Sequence, residues 1–317
     1  MLNHENFDKV IKTGYFRSRI LRAAVKEGLN KKTSLFTFAY LKLPQKLVRS
    51  ALDSSKWKID FDVAPQGGPL IMANEIFESG SVSRTNTANT HVVVMGLGGG
   101  FISGYLHHHF PQMRITAVDI SPTVVSMAKK WFSMETDNRY DIVVEDGVQY
   151  FRRCVEQGQR FDAILLDACS LDFEADFTCP VKVFLTEETI SNMATLLGQR
   201  GVLTINFLAR LKTLKDEVLN TFHKYFKYEK PTALGKSPNY IHTFAQFRAT
   251  KTARGHEHEQ IKGIDNYRLD CAHDIYTLEL FLFLHYCVYP IPVIFISHQK
   301  SFMMFLSVLS IRLLANS

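Results

Sequence analysis

The sequence predicts a doubly wound α/β domain with a mostly parallel, seven-stranded sheet over residues 91–250. Three observations carry this: short apolar runs alternate with helical patterns from His91 onward, the helices are long enough for βαβ crossovers, and glycine or acidic residues close successive strands. Strands are expected at 91–95, 114–118, 140–144, 161–166 and 201–207, with a weaker late pair at 226–229 and 240–247. Helices are expected at 101–110, 122–132, 148–156, 187–197 and 214–225. Strands read as continuous apolar runs belong to a sheet covered on both faces, and such sheets bind ligands at the carboxyl ends of their strands.

The flanks read differently. Residues 1–56 form a basic extension, expected to be helical because Val10, Ile11, Tyr15, Ile20, Leu21 and Ala24 recur at helical spacing and Gly28 supplies a stop. Residues 57–90 read as a β-hairpin and linker: Lys58 to Val63 alternates polar with apolar, Pro65-Gln66-Gly67-Gly68 turns, and Pro69 to Met72 follows. Residues 251–317 read as a polar linker and an apolar tail; its stretch 275–297 has the length of a membrane span but contains Glu279, His285, Pro290 and Pro292. Membrane contact, packing on the domain and a non-native extension all stay open for that tail.

Charge and cysteine usage narrow the setting. The formal charge of +6 is concentrated in residues 1–60, where 13 Lys/Arg face 5 Asp/Glu, an excess of +8 that suits an acidic partner or a solvated helical face. Cys154, Cys169, Cys179, Cys271 and Cys287 are odd in number and contain no Cys-x-x-Cys pair, which argues against a disulfide framework and a thiolate zinc site. With no apolar segment after a basic start at the N-terminus, the expected compartment is the cytoplasm. His107-His108-His109 is not expected to bind metal, because consecutive helical residues point about 100° apart, and neither is His256-Glu257-His258, which sits in a polar stretch.

Four strand ends carry the candidate chemistry. Gly96, Gly98 and Gly100 lie in Gly96-Leu97-Gly98-Gly99-Gly100, which closes the first strand and lets backbone approach a ligand. The third glycine of the dinucleotide pattern G-x-G-x-x-G is replaced by Phe101, which weakens a dehydrogenase reading. Asp119 ends the second strand 23 residues after Gly96, where a carboxylate can accept from both ribose hydroxyls; capping of the following helix is the structural alternative, although Ser121 can take it. Asp146-Gly147 follows the third strand, where the carboxylate can accept from an adenine amine and the glycine keeps the ring's path clear, or Asp146 simply caps a helix. Asp167 ends the fourth strand at the reacting end of the cofactor, where it can orient an amine. The acidic residue at 146 favours S-adenosylmethionine over NAD.

At these residues the sequence resembles the spermidine synthase-like branch of the class I S-adenosylmethionine-dependent methyltransferases. Val118-Asp119-Ile120-Ser121-Pro122-Thr123-Val124-Val125 through Phe132 is similar to that branch's V-E-I-D-P-x-V-V block, and Asp146-Gly147 and Phe161 to Asp167 match its next two motifs. Polyamine synthases carry an aspartate where Phe101 stands and a second acidic residue where Ser170 stands. The segments Gly96 to Gly100, Asp167-Ala168-Cys169-Ser170-Leu171-Asp172, Cys179-Pro180, Phe184 and Gly201 to Asn206 more closely resemble the C-terminal domain of the methyltransferase-like proteins that modify translation elongation factor one alpha. The resemblance implies a Rossmann-like class I methyltransferase fold, S-adenosylmethionine held by Gly96, Gly98, Gly100, Asp119, Ile120, Asp146 and Gly147, and Asp167 as the catalytic residue. It implies methyl transfer to a protein amine, with a translation factor as the acceptor partner. An aminopropyltransferase, a catalytically silent cofactor-binding module and an NAD-dependent enzyme stand as alternatives.

Overall fold

A computed structural model describes residues 10–11, 18–27, 30–42, 56–65, 67–85, 87–170, 175–235 and 239–247, with side chains from residue 39 onward. Three N-terminal strands, β1 (Val10–Ile11), β2 (Ser18–Glu27) and β3 (Asn30–Tyr40), form an antiparallel sheet in which Glu27 pairs with Asn30. Helix α1 (Gly68–Glu78) leads into β4 (His91–Met95), α2 (Phe101–His109), β5 (Arg114–Asp119), α3 (Pro122–Phe132), β6 (Tyr140–Val144), α4 (Gly147–Glu156) and β7 (Ala163–Leu166). There follow β8 (Phe177–Cys179), α5 (Glu187–Leu197), β9 (Val202–Ala209), α6 (Lys212–Tyr225), β10 (Tyr228–Ala233) and β11 (Tyr240–Ala245).

The main sheet runs β10-β11-β9-β7-β4-β5-β6, with β8 pairing β9 off this path. Strands β9, β7, β4, β5 and β6 are parallel, and β11 is antiparallel to both β9 and β10. The chain winds outward from β4 through β5 to β6, then returns to place β7 on the other side of β4. The crevice between β4 and β7 is therefore the topological switch point, where such sheets take their ligands.

Alternation along each strand builds two cores. Val92 and Val94 face Met72 and Ile76 of α1, Leu106 of α2 and Phe132 of α3, whereas Val93 and Met95 face Phe151 of α4, Met193 of α5 and Phe222 of α6. Helix starts are fixed by side chains. Ser121 Oγ accepts from Val124 N at 3.3 Å and Pro122 opens α3; Thr186 Oγ1 accepts from Thr189 N at 3.4 Å to start α5.

The outer strand β10 buries little and is held by polar contacts on both faces. Glu229 accepts from His223 of α6 at 2.6 Å and from His242 Nδ1 of β11, and Lys230 pairs at 2.5 Å with Glu75, a carboxylate buried on α1.

Two expectations for the flanks are corrected. Residues 18–27 and 30–40 are strands rather than basic helices, and Thr33, Phe36, Thr37, Phe38 and Tyr40 are the β-branched and aromatic types that prefer extended backbone. Periodicity alone had favoured a helix there, and Gly28 lies outside the described residues. The hairpin expected around Pro65 to Gly68 is replaced by α1: Pro69 sits in its first turn, where its fixed φ suits a helix and its missing N–H costs nothing. The alternating segment before it makes one bridge, Ile59 to Leu41, and covers α2 through the stacked Phe61 and Phe101 rings at 5.7 Å. The expected linker 79–90 is anchored where Ser81 Oγ donates to the carbonyls of Asp162 and Arg200 at 2.6 and 2.8 Å. The apolar tail and His256-Glu257-His258 lie outside the described residues; among those described, no helix is long and apolar enough to cross a membrane.

The α6 anchor gives a stability test. Phe222 is fully buried and stacks on Phe244 at 4.6 Å, so Phe222→Ala is expected to cost about 3–5 kcal/mol in urea unfolding. A loss below about 1 kcal/mol would mean that α6 does not close this core.

Candidate functional site

Strand ends β4, β5 and β7 converge on the glycine loop. Gly96 N donates to Val118 O at 2.8 Å, Leu97 N to Asp119 Oδ2 at 3.0 Å, and Asp167 N to Met95 O at 2.9 Å. Gly96 takes φ 93° and passes so close to β7 that a Cβ there would lie 2.5 Å from Asp167 O. Only glycine meets both demands. Gly98 and Gly100 also have positive φ, 53° and 75°, and Gly100 is the N-cap of α2.

Asp119 holds the loop and the turn into α3 together. Its Oδ2 holds Leu97 N and its Oδ1 accepts from Ser121 N at 2.9 Å, while Ser121 rather than Asp119 caps α3. Each carboxylate oxygen has a second lone pair, so the group can grip the loop and still accept from a diol. Ile120, directly after it, is 68% exposed, an apolar side chain presented at the end of β5. Asp146 caps α4, with Oδ1 accepting from Val148 N at 2.9 Å and Gln149 N at 3.1 Å, and no described residue donates to its Oδ2. Cap and ligand acceptor are thus compatible roles for its two oxygens.

Gly147 has another role from the one expected. It is buried, and a Cβ would lie 2.4 Å from Met95 Sδ and 2.6 Å from Phe184 Cζ. The glycine lets α4 pack against β4 rather than clearing space for a ring.

Asp167 lies at the end of β7, half-buried, and its Oδ1 accepts from Asn206 Nδ2 of β9 at 2.9 Å. Burial pushes its pKa up to about 6, against the pull of the Asn206 hydrogen bond. Asn206 Oδ1 is buried without a partner, an acceptor left over beside the carboxylate. Sequence reasoning assigned Asn206 no role, although a polar amide within the apolar run of β9 marks it. Phe101 is buried against Phe61, so that position contributes core surface instead of a carboxylate. Leu171 and Asp172 lie outside the described residues.

The cysteines correct another expectation. Cys169 and Cys179 form a disulfide with a Cα–Cα distance of 4.4 Å, although the odd cysteine count had argued against a disulfide framework. Folding brings the pair together because Ser170 N donates to Thr178 O at 2.7 Å, setting the loop after β7 beside β8. The count considered all five cysteines as a framework and missed this local pairing. Cys154 is buried and free, and Cys271 and Cys287 lie outside the described residues. Among the described residues, no group of His, Cys, Asp and Glu is arranged to hold a metal, His107 to His109 included.

The model of the spermine/spermidine synthase domain matches residues 74–258. The chain belongs to this family. Within it, the chain is similar to a Drosophila melanogaster protein named eEF1A lysine and N-terminal methyltransferase homolog, at 36% identity over 135 residues, covering 43% of this chain and 20% of the relative. The human eEF1A lysine and N-terminal methyltransferase is 31% identical over 131 residues, covering 40% and 19%. A polyamine aminopropyltransferase of Vibrio vulnificus is 25% identical over 153 residues, covering 47% and 49%. The chain spans about one fifth of the length of the eEF1A-modifying relatives. Its fold matches a crystal structure of human methyltransferase-like protein 13 in complex with SAH, with a TM-score of 0.53, 20% identity and coverage of 73% of this chain and 96% of that one. The class I fold expected from the sequence is therefore the fold of this family member.

The raised pKa of Asp167 sets a direction for stability against pH. Its folded pKa of about 6 exceeds the unfolded value of 3.8, so the folded state binds this proton more tightly, and the associated stability is lost as pH rises from below 3.8 through 6. Asp167→Asn lacks that dependence. Relative to wild type, the variant is expected to gain stability between about pH 4 and pH 7 in parallel urea titrations. A constant difference would show that the carboxyl is solvated.

Proposed function

We propose that this chain binds S-adenosylmethionine at the carboxyl ends of β4 to β7 and transfers its methyl group to a protein amine, a lysine side chain or an N-terminus. The pairing of Asp167 with Asn206 carries the proposal. It places a half-buried carboxylate and an unpartnered amide oxygen together at the strand end beside the glycine loop. Two acceptors side by side suit a group bearing several N–H donors, as an amine does. The names of the curated relatives support the protein acceptor, and eEF1A is the more specific proposal.

The residues fit an adenosine-bearing cofactor. The glycines of the 96–100 loop let backbone come close to a ligand, Asp119 supplies an acceptor pair for a ribose diol, Ile120 an apolar surface for a base, and Asp146 Oδ2 an acceptor for its amine. The cofactor supplies a sulfonium-bound methyl group. An ammonium has no lone pair to attack it, so Asp167 is assigned to hold the incoming amine and take its proton, with Asn206 fixing the carboxylate and sharing the N–H groups. The acceptor nitrogen would gain the methyl as the methyl–sulfur bond breaks, its electron pair staying on sulfur as a neutral thioether, and the nitrogen's proton would pass through Asp167 to water.

Aminopropyl transfer to a polyamine is the second reading, favoured by the family and by the Vibrio relative. Against it, Phe101 is buried in the core and Ser170 is not acidic, which leaves the pocket short of the carboxylates a multiply charged amine needs. Calorimetric titration with S-adenosylmethionine, its decarboxylated form and NAD separates these readings from a silent module. Tightest binding is expected for S-adenosylmethionine, and Asp119→Ala is expected to weaken it by about 1–3 kcal/mol. Preference for the decarboxylated form would favour the aminopropyl reading.

Asp167→Asn should keep most of the cofactor affinity while methyl transfer to eEF1A or its N-terminal peptide falls roughly 100-fold or more. Unchanged transfer, or a loss that simply follows a lowered melting temperature, would remove Asp167 from the chemistry.

A further inference from the structure

The amino ends of the strands, opposite the proposed cofactor site, carry a row of cations. Arg114 begins β5, Arg139 immediately precedes β6, Arg160 and Arg200 stand just before β7 and β9, and Lys227 precedes β10; the equivalent position on β4 is His91. Adjacent strands lie about 4.8 Å apart, so the row spans roughly 30 Å. Its backbone is held rigidly: Arg114 N donates to Thr90 O at 2.9 Å, Ile115 N to Arg139 O at 2.7 Å, and Ser81 Oγ to Arg200 O at 2.8 Å.

These cations are not spent on the protein's own carboxylates. Among the described residues, Arg114, Arg139, Arg160, Arg200 and Lys227 form no ion pair, whereas Arg84, Arg152 and Arg153 are paired with Glu78, Glu188 and Glu145. The row is also indented. Asn89, His91, Arg160, Asp162, Gln199 and Arg200 line a concavity of 460 Å³, and Arg200 and Gln199 join Gly80 and Phe247 around a second of 270 Å³. Asp162 tempers the charge only partly, since its Oδ2 accepts from His91 N at 2.8 Å.

Apolar surface decides between the classes of acidic partner. A protein interface needs an apolar core. The exposed aliphatic side chains Ile120, Val144, Val183 and Leu211 lie elsewhere, three of them following or ending strands at the opposite edge. Among the described residues, this edge presents the exposed aromatic ring of Tyr228, at the start of β10, whose register through Ala245 to Val202 aligns it with the beginning of β9, and the half-buried Phe247. Guanidinium forks with an adjacent aromatic ring match phosphates and unstacked bases. We propose that the amino-terminal edge of the main sheet binds the phosphate backbone of single-stranded RNA, with Arg160 and Arg200 gripping phosphates and Tyr228 stacking a base. The proposal is independent of the cofactor reading.

Anisotropy titrations of the full chain with a fluorescein-labelled oligouridylate, repeated over a range of salt, test it. Wild type is expected to bind with a steep salt dependence. The Arg160→Gln/Arg200→Gln double variant should lose at least tenfold in affinity and about 1.4 in the slope of log K against log salt, the contribution of two phosphate contacts on a single strand. Tyr228→Ala should lose about fivefold or more. An Arg152→Gln/Arg153→Gln control, which removes the same charge from paired positions, should bind within about twofold of wild type. Melting temperatures establish that each variant folds, and the single arginine variants replace any double variant that does not. The proposal is overturned if wild type does not bind, if the Arg160/Arg200 variant matches wild type so that the basic segment before residue 60 carries the binding, or if polyglutamate displaces the RNA at equal charge concentration.

Discussion

The structure depends on the crossing of Gly96 past the backbone of Asp167. At that point β4 has β5 on one side and β7 on the other, all three parallel and ending together. Holding the strand ends this close requires a residue without a side chain and with positive φ at position 96. The carboxylate of Asp119 then ties the next residue of the loop, Leu97, to β5. The glycine loop, the Asp119 carboxylate and the start of the loop at Asp167 are consequently held in one place by a single packing constraint.

Much of this was legible in the sequence because the parallel sheet writes itself plainly. Buried strands such as Val92 to Met95 must be apolar on both faces, and the helix starts at Ser121 and Asp146 need oxygen-bearing caps. The N-terminal strands were misread because a few apolar residues in a basic segment satisfy helical and extended periods equally, and their pairing across Glu27 and Asn30 is a tertiary fact. Pro69 was read as following the turn of a hairpin, although it sits in the first turn of α1. Asp167 was found by its place at a strand end. Asn206 was passed over because its meaning comes from a neighbour 39 residues away. Cys169 and Cys179 were hidden in the same way, by a loop that only folding closes.

Family membership constrains the scaffold more tightly than the chemistry. In the proposed reading, the loop, caps and strand ends assigned to an adenosine moiety would serve any reaction that starts from a sulfonium, so they do not distinguish one acceptor from another. The acceptor is selected by the polar groups at the reacting end. Here the position at the start of α2 is turned into core by the Phe61–Phe101 stack, while β9 contributes an amide to the carboxylate of β7.

The polar anchoring of β10 has a consequence for association. An edge strand offers unpaired backbone groups to any other extended chain, and long apolar edges recruit copies of themselves. Here the edge carries Glu229 and Lys230 on opposite faces, each tied inward to a helix, and then Pro231, which has no N–H to give. At the far side of the sheet, β6 presents the exposed Asp141. On β10, charge and a missing donor thus make strand addition unfavourable, so one border of a sheet with many consecutive apolar strands is guarded against extension.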